Sequence, residues 1–310
     1  MSSKKLILLF LLSGVVVAAW ETKNYLELSQ KGHPVLAVPQ SAASILSIVA
    51  FEKGFFQQHG IDVKIRYVGT GSEAIRCINK GEADFATLTD WNIAVIGLDH
   101  VSAKVLCTLE KSYKPAILAR KDRGITKAEH LHGKRIGVLS GSSSQIFLER
   151  FLNKRHIEGC DLNFKMLSPL QLQAELISGA NVDAIVLWEP YISNMKMILG
   201  DRIMIFKDEP FFNSHINLVG CSDFLEKNKD VAHNLLQAYI DAELFIKLNK
   251  AESVDIIARA LKISKAAVEK EWDSYLFHVN LDRALLEAAI VEGYWGIIHR
   301  GGDRDETLPD

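Results

Sequence analysis

The sequence lacks an excess of charge of either sign. Of its 310 residues, 36 are lysine or arginine and 38 are aspartate or glutamate, and the two kinds are interspersed along the chain. Proteins that bind nucleic acid carry a basic excess or a basic stripe, so we expect no nucleic-acid partner. The length and a hydrophobic content of 48% fit one large or two medium globular domains.

Cysteine is also scarce, with four residues and no Cys-x-x-Cys spacing, and His130 and His132 are the only close histidine pair. A zinc site needs closely spaced thiolate or imidazole ligands, so we expect no metal. Cys77 falls in a helical pattern, whereas Cys107 and Cys221 fall in strand-like patterns, and small buried side chains are predicted at all three. An oxidising compartment would permit one disulfide, but the spacing does not select a pair.

Two motifs of nucleotide and acyl chemistry are missing. The loop at residues 140–144 has no Gly-Lys-Ser/Thr, as a Walker loop would, and no Gly-x-Ser-x-Gly, as a nucleophile elbow would. Residues 69–74 read GTGSEA and match the dinucleotide pattern G-x-G-x-x-A only loosely. We therefore expect no cofactor and no catalytic residue.

Long apolar runs are absent except near the N-terminus. Lys4 and Lys5 precede an apolar run at residues 6–19 that ends in small residues, which predicts a signal peptide over residues 1–19 and export to the periplasm. The run is shorter than the roughly 20 residues needed to cross a membrane. No cysteine lies near the cleavage region, which favours a soluble product over a lipoprotein. An uncleaved segment that anchors the chain in the membrane is the alternative.

Strands and helices alternate along the rest of the chain, as in parallel sheets covered by helices. In the first half we predict strand 35–38, helix 42–55, strand 63–68, helix 72–80 and strand 85–88. Glycines stand where this scheme requires the chain to turn.

A second cycle follows, with helix 145–155, strand 163–167, helix 170–178 and strand 203–206. Ser168 followed by Pro169 predicts a capped start for the helix at 170–178. A capping box at Thr126 and Glu129 predicts a short helix before the cycle begins.

Three stretches carry a resemblance to a known family. Residues 48–60 read IVAFEKGFFQQHG, residues 130–143 read HLHGKRIGVLSGSS, and residues 182–191 read VDAIVLWEPY. In this order and spacing they resemble phrases of the taurine-, alkanesulfonate-, nitrate- and thiamine-precursor-binding proteins of ABC importers. His130 stands where that family usually has aspartate. The resemblance extends over about residues 34–295.

The resemblance implies an α/β, type II periplasmic-binding-protein fold with two α/β lobes joined by a two-crossing hinge. Lobe 1 would contain residues 33–115 plus 216–310, and lobe 2 would contain residues 116–215. The implied function is that of the extracytoplasmic, monomeric solute-binding component of an ABC importer. It would capture a sulfonate, a nitrate-like anion or an aminopyrimidine thiamine precursor between its lobes and deliver it to a permease that works with an ATPase.

Two other functions remain open for this fold. The same fold serves as the ligand-binding input of extracytoplasmic sensors, in which residues 6–19 would stay uncleaved as an anchor. Relatives that consume an active-site histidine and a pyridoxal cofactor make the thiamine pyrimidine, but they are cytosolic and carry a cysteine-rich motif. The export signal and the scattered cysteines argue against that enzyme.

The resemblance places candidate ligand-binding residues in loops after the predicted strands. Loops 69–72 and 140–144 would present hydroxyls and helix N-terminal N–H groups to an anionic or polar group. Asp90 and Glu189 would bind an amine, and Trp188 would stack on a heterocycle. The candidate ligand-binding residues are Gln40, Ser41, Thr70, Gly71, Ser72, Thr89, Asp90, Trp91, Ser140, Ser142, Ser143, Trp188, Glu189, His215 and Asn217.

Local pattern also gives these candidates a purely structural interpretation. Ser72, Asp90 and Glu189 each precede or begin a predicted helix, where their side chains would cap free N–H groups. His215 and Asn217 lie at the predicted hinge, where they would be solvated turn residues. Both kinds of role stay open from the sequence.

Overall fold

The computed structural model describes residues 33–40, 44–112, 115–139, 142–158, 160–165, 168–207, 214–281 and 283–299. The predicted signal peptide and the candidates Ser41 and Ser140 lie outside these residues. None of the helices within these ranges is both long enough and apolar enough to cross a membrane.

Eleven labelled strands follow one another among the described residues. They are β1 (Val35–Pro39), β2 (Lys64–Val68), β3 (Phe85–Thr89), β4 (Ala103–Ser112), β5 (Ala116–Arg120), β6 (Arg135–Leu139), β7 (Asp161–Lys165), β8 (Ala184–Leu187), β9 (Ile203–Phe206), β10 (Ser214–Cys221) and β11 (Tyr275–Asn280).

The helices alternate with these strands and then dominate the C-terminal part. They are α1 (Ile45–Glu52), α2 (Phe55–Gln58), α3 (Gly71–Asn79), α4 (Asp90–Leu98), α5 (Ser143–Lys154), α6 (Pro169–Ser178), α7 (Tyr191–Leu199), α8 (Ser222–Lys227), α9 (Lys229–Leu248), α10 (Lys250–Leu261), α11 (Lys265–Glu271) and α12 (Arg283–His299).

The strands form two sheets, and the order β2-β1-β3-β10-β4 within the first corresponds to the order β7-β6-β8-β5-β9 of the second. The six-stranded sheet runs β11-β4-β10-β3-β1-β2 and the five-stranded sheet runs β7-β6-β8-β5-β9. In the first, β1 pairs in parallel with β2 and β3, and β10 lies antiparallel between β3 and β4. In the second, β6 pairs in parallel with β7 and β8, and β5 lies antiparallel between β8 and β9. The predicted two-sheet α/β fold is confirmed.

The chain passes from one sheet to the other twice, after β4 and after β9. We call the six-stranded sheet with its helices lobe 1 and the five-stranded sheet with its helices lobe 2. β10 begins at Ser214, two positions before the predicted boundary at Ile216, so His215 already belongs to the sheet of lobe 1.

The predicted helix 42–55 corresponds to α1, which ends at Glu52. The chain turns at Gly54, whose φ of 70° lies in the left-handed region that glycine adopts without strain, and the short helix α2 follows. The helix that begins at Pro169 is confirmed, with a capping box between Ser168 and Gln171. The capping box predicted at Thr126 is wrong, because the Thr126 N–H donates to His130 Nδ1 and a 3-10 helix starts at Ala128 without a side-chain cap.

The core of lobe 1 fixes the start of α1 against the C-terminal helices. Ser47 of α1 and Tyr239 of α9 share a hydrogen bond of 2.8 Å, and the ring of Phe56 meets Tyr239 edge-on with centroids 5.5 Å apart. All of these side chains are buried. The four cysteines are free thiols; Cys77 and Cys107 are buried as predicted, whereas Cys221, also predicted to be buried, is only half-buried.

Candidate functional site

The predicted site residues follow parallel strands at their carboxyl ends. Gln40 follows β1, Thr70 follows β2, Thr89 ends β3, Ser142 follows β6, and Trp188 follows β8. Open α/β sheets bind ligands at this edge, where the loops leave the sheet and the helices begin. Gln40 is exposed, and its backbone N–H donates to the Val68 carbonyl oxygen over 2.9 Å.

Thr70, and not Ser72, caps α3. Thr70 Oγ1 accepts the Glu73 N–H over 3.2 Å, whereas Ser72 is exposed. Gly71 lies so close to Asn92 of α4 that a Cβ built on Gly71 would stand 2.1 Å from Asn92 Oδ1. The glycine is therefore required by the packing of α3 against α4, and the predicted cap at Ser72 is corrected to Thr70.

Thr89, and not Asp90, caps α4. Thr89 Oγ1 accepts the Asn92 N–H, and Asn92 Oδ1 accepts the Thr89 N–H over 3.2 Å, which completes a capping box. Asp90 is the first residue of the helix and not its N-cap, and its Oδ1 accepts the Trp91 N–H over 3.2 Å. This corrects the predicted structural role of Asp90.

Asp90 is buried, with 1% of its surface exposed, and joins α4 to the start of β10. Its Oδ1 accepts the Ser214 hydroxyl over 3.1 Å, and its Oδ2 lies 3.3 Å from His215 Nδ1. Glu292 of α12 is also buried, and burial together with the Asp90 charge raises the pKa of Glu292 well above its ordinary value. Asp90, Ser214 and His215 thus form a buried polar cluster at the start of β10, where the second crossing ends.

His215 and Asn217 are strand residues and not solvated turn residues. His215 is 6% exposed and Asn217 is fully buried. Asn217 Oδ1 accepts the Thr108 hydroxyl over 2.8 Å, and its amide donates to the Leu88 carbonyl oxygen. Both residues therefore lie in a buried strand, which corrects the predicted solvated turn.

Trp91 lies in the core of lobe 1. Its side chain is 1% exposed, and a Cβ built on Gly296 of α12 would stand 3.3 Å from the indole ring. The indole therefore packs under α12, among the core side chains of lobe 1.

The serine-rich loop of lobe 2 opens α5. Ser142 Oγ donates to the Leu139 carbonyl oxygen over 2.7 Å, so it does not cap the helix. Ser143 is half-buried, and Ser144 is fully buried with no hydrogen-bond partner for its hydroxyl among the described residues. The first N–H groups of α5 are consequently left without a side-chain cap from Ser142.

The Trp-Glu-Pro stretch joins β8 to α7. Trp188 meets Tyr191 edge-on with ring centroids 5.9 Å apart, and both side chains are half-buried. Glu189 Oε2 accepts the Ser193 N–H over 3.1 Å, so the predicted capping contact is present. Burial raises the pKa of Glu189, and the charge of Glu271 raises it further.

A narrow cavity of about 20 Å³, partly open to solvent, lies between the lobes. Lobe 2 contributes Glu189 and Pro190, and lobe 1 contributes the start of α1, helices α10 and α11, and Tyr275. Its described lining residues are Ile45, Glu189, Pro190, Ile257, Leu261, Ile263, Ala267, Val268, Glu271 and Tyr275.

Three residues next to this cavity were missed from the sequence. Glu271 and Tyr275 line it, and Glu110 of β4 accepts the Leu46 N–H over 3.3 Å at the amino end of α1. Burial raises the pKa of Glu110 to about 8. Glu110 follows the mainly apolar residues 105–109 of β4, and an acidic side chain at that place is the signal that could have identified it.

Comparison with known proteins agrees with this architecture. The family model described as NMT1/THI5 like matches residues 41–249. The chain belongs to the NMT1/THI5-like family. A binding protein of Brucella abortus (strain 2308) is 24% identical over 229 residues, which are 73% of this chain and 70% of that protein. A relative in Escherichia coli (strain K12), whose name describes an aliphatic sulfonates-binding protein, is 23% identical over 249 residues, 78% of this chain and 75% of its own.

Solved structures share the fold of this NMT1/THI5-like chain. The aliphatic sulphonate binding protein SsuA of Escherichia coli superposes with a TM-score of 0.73 at 16% identity, over 89% of this chain and 94% of its own. A Candida albicans protein described as having the generic periplasmic binding protein fold gives a TM-score of 0.71 at 20% identity, over 89% and 92%. At these identities the likeness concerns the fold.

Proposed function

We propose that the protein is the extracytoplasmic solute-binding component of an ABC importer. It captures a small organic solute between its two lobes and delivers it to a membrane permease that works with an ATPase. The observation that carries the proposal is the cavity between Glu189 and Pro190 of lobe 2 and Ile45, Glu271 and Tyr275 of lobe 1. Membership of the NMT1/THI5-like family and the names of its relatives support the same function.

The two passages of the chain between the sheets suit a hinge. Lobe 1, proposed as residues 33–115 plus 216–310, would rotate toward lobe 2, proposed as residues 116–215, when solute fills the cavity. A solute shifts the protein toward the closed form only as far as it binds that form better than the open one. A permease that recognises the closed form would therefore receive loaded protein.

The proposed protein binds and releases its solute unchanged, works as a monomer and is exported through residues 1–19. A sensor input domain would share the cavity but keep residues 6–19 as an anchor. N-terminal sequencing of the exported protein separates the two, because cleavage near Trp20 removes the anchor. Mass spectrometry of the bound solute after incubation tests for catalysis.

The proposal is tested by thermal unfolding of the purified protein with thiamine, an aminopyrimidine, taurine, alkanesulfonates, nitrate and simple amines. A solute at 100 times its Kd adds about 2.7 kcal/mol to the free energy of unfolding, which raises Tm by several degrees. Small-angle scattering with the same solute should show a smaller radius of gyration. The variant Met197→Ser is the control, because this α7 side chain is 77% exposed and does not line the cavity.

A double replacement of Trp188 and Glu189 by alanine should abolish the Tm shift while leaving a cooperative unfolding transition. The Met197→Ser protein should keep the shift. A panel in which every solute leaves both Tm and the radius of gyration unchanged would contradict the proposed function.

A further inference from the structure

Helix α11 of lobe 1 meets lobe 2 at its carboxyl end. Glu271, the last residue of α11, faces Glu189 and Pro190 of lobe 2 across the narrow cavity between the lobes. A cavity of about 20 Å³ has room for roughly one water molecule. The lobes therefore leave little space between them here, and only 10% of the Glu271 side chain is exposed.

An ion pair crosses from one lobe to the other at this place. Lys207 directly follows β9 of lobe 2, and its Nζ lies 3.6 Å from Glu271 Oε2. The Lys207 side chain is 30% exposed. Water and salt screen such a sheltered pair less than a pair on the open surface. The pair therefore attracts α11 toward lobe 2.

The other charged groups near Glu271 leave this attraction in place. Burial, followed by the charge of Lys270, lowers the pKa of Lys196 in α7, and the charge of Glu271 opposes that shift. Glu189 repels Glu271, since burial raises the pKa of Glu189 and the charge of Glu271 raises it further. Glu271 thus meets two lysines and one carboxyl group from lobe 2, and the balance across the interface is attractive.

The overall charges of the two proposed lobes have opposite signs. Residues 33–115 and 216–310 contain 19 lysines and arginines against 25 aspartates and glutamates, whereas residues 116–215 contain 13 against 11. Lobe 1 is therefore net negative and lobe 2 net positive, and such charges attract over about 10 Å in 0.1 M salt. The ion pair has the same polarity, with its acid on lobe 1 and its base on lobe 2.

Resting on the proposed function, we propose that Glu271 and Lys207 are positioning residues for closure of the lobes. Rotation about the two crossings moves α11 away from lobe 2 and separates the two charges, so their pair stabilises the closed form alone. A contact made in one form only shifts the equilibrium toward that form. The pair thereby sets how much of the solute-free protein is closed, and the apparent affinity for solute falls with that fraction.

Small-angle scattering of the full-length protein without any solute tests the inference. Lys207→Glu and Glu271→Lys each replace the attraction by a repulsion, so each should increase the radius of gyration in about 10 mM sodium chloride, where the Debye length is about 30 Å. In the natural protein about 1 M sodium chloride should cause an increase by itself, because the Debye length falls to about 3 Å.

The double variant Lys207→Glu/Glu271→Lys re-forms the pair with its charges exchanged. The lysine introduced at position 271 then faces both the glutamate introduced at position 207 and the carboxyl group of Glu189. We expect the radius of gyration to return toward the natural value, so the two single changes should be strongly non-additive. A side chain that served only the packing of its own lobe would give no such rescue.

Glu269→Lys is the matched control, since Glu269 lies on α11 two residues before Glu271 but is exposed. It makes the same change of charge in the same helix and should leave the radius of gyration unchanged. Thermal unfolding shows which variants fold. If a reversal does not fold, Glu271→Gln, which keeps the shape and removes the charge, should still increase the radius of gyration.

Equal radii of gyration for the natural protein, both reversals and Glu271→Gln would overturn the inference, because the pair would then contribute nothing to closure. An increase of the same size in Glu269→Lys would overturn it as well. No solute enters these measurements, so their failure leaves the proposed function standing. A solute panel without any binding would instead remove the proposed function and leave the effect of the ion pair on shape in place.

Discussion

His215 Nδ1 lies 3.3 Å from Asp90 Oδ2, and this buried pair joins β10 to the first turn of α4. β10 is the strand that the chain enters after its second passage between the sheets. Asp90 also accepts the Ser214 hydroxyl, so the carboxylate holds the first two residues of β10. The pair therefore fixes where the second crossing ends.

Replacing Asp90 by asparagine should lower the free energy of unfolding by about 1–3 kcal/mol, the cost of leaving a buried polar group without its partner. The Asp90 side chain accepts hydrogen bonds through both oxygens, from the Trp91 N–H, the Ser214 hydroxyl and the His215 N–H, and asparagine has only one such oxygen. Urea unfolding monitored by circular dichroism measures the change. Asp201→Asn, an exposed position, should change the free energy of unfolding by less than about 0.5 kcal/mol. Equal effects of the two substitutions would show that the Asp90 contacts contribute nothing.

Replacing Gly71 by alanine should destabilise the protein by about 1–3 kcal/mol. The added Cβ would stand 2.1 Å from Asn92 Oδ1 and disturb the capping box of α4. Gly69→Ala is the matched control, because its Cβ would meet only the flexible end of Glu73 at 3.3 Å. Chemical denaturation of both variants is the measurement.

A second replacement locates the cause of that loss. In an Asn92→Ala background the clash disappears, so Gly71→Ala should cost much less than in the natural chain. Full additivity of the two substitutions would mean that the Asn92 side chain is not what Gly71 accommodates.

Local patterns predicted most of the fold, because each strand and helix is encoded by residues next to one another. The apolar runs give the strands, and Ser168 with Pro169 gives the start of α6. The site was predicted less well. Asp90 meets His215 from 125 positions away, and Glu110 meets Leu46 from 64 positions away. Such pairs are set by the two crossings, which periodicity does not encode.

The difference between local patterns and contacts distant in sequence also explains why the burial of Trp91 was not predicted. Its position after β3 is readable from the sequence, but its burial depends on Gly296 of α12, which packs on α4 from the far end of the chain. Trp188, by contrast, touches Tyr191 three residues later, and its half-buried setting needs no distant partner.

The four cysteines should titrate as free thiols. In denaturant a thiol reagent should modify four groups per chain without prior reduction, because no disulfide joins the cysteines. In the native state Cys77 and Cys107 should react slowly, since both are buried and burial raises the pKa of Cys107 to about 12. Fewer than four reactive groups in denaturant would contradict this. The count before and after treatment with reductant gives the answer.

Stability should fall as the pH rises between about 4.5 and 8, because buried carboxyl groups hold protons more tightly in the folded state. Burial raises the pKa of Glu110 from its ordinary value of 4.5 to about 8. Across that window the folded protein binds more protons than the unfolded chain, so the free energy of unfolding decreases with pH. The slope due to one group is at most about 1.4 kcal/mol per pH unit.

The tyrosine and cysteine side chains near Glu110 do not change their charge between pH 4.5 and 8, so they do not add to the pH dependence of stability. Tyr239 and Tyr275 feel its charge, and burial raises the pKa of each beyond the window, so both stay neutral. Cys107 in the same strand also stays neutral, with a pKa raised to about 12. Glu189 has a raised pKa and acts in the same direction as Glu110.

Glu110→Gln should therefore flatten, without abolishing, the decline in stability between pH 5.5 and 8, and should make the protein more stable than the natural chain at pH 8. Urea unfolding at half-unit intervals of pH measures both effects. Glu269→Gln, at an exposed position of α11, should keep the natural slope. A Glu110→Gln protein with an unaltered slope would mean that Glu110 ionises in the folded state as readily as in the unfolded chain, and the carboxyl group would then be solvated and not held against Leu46.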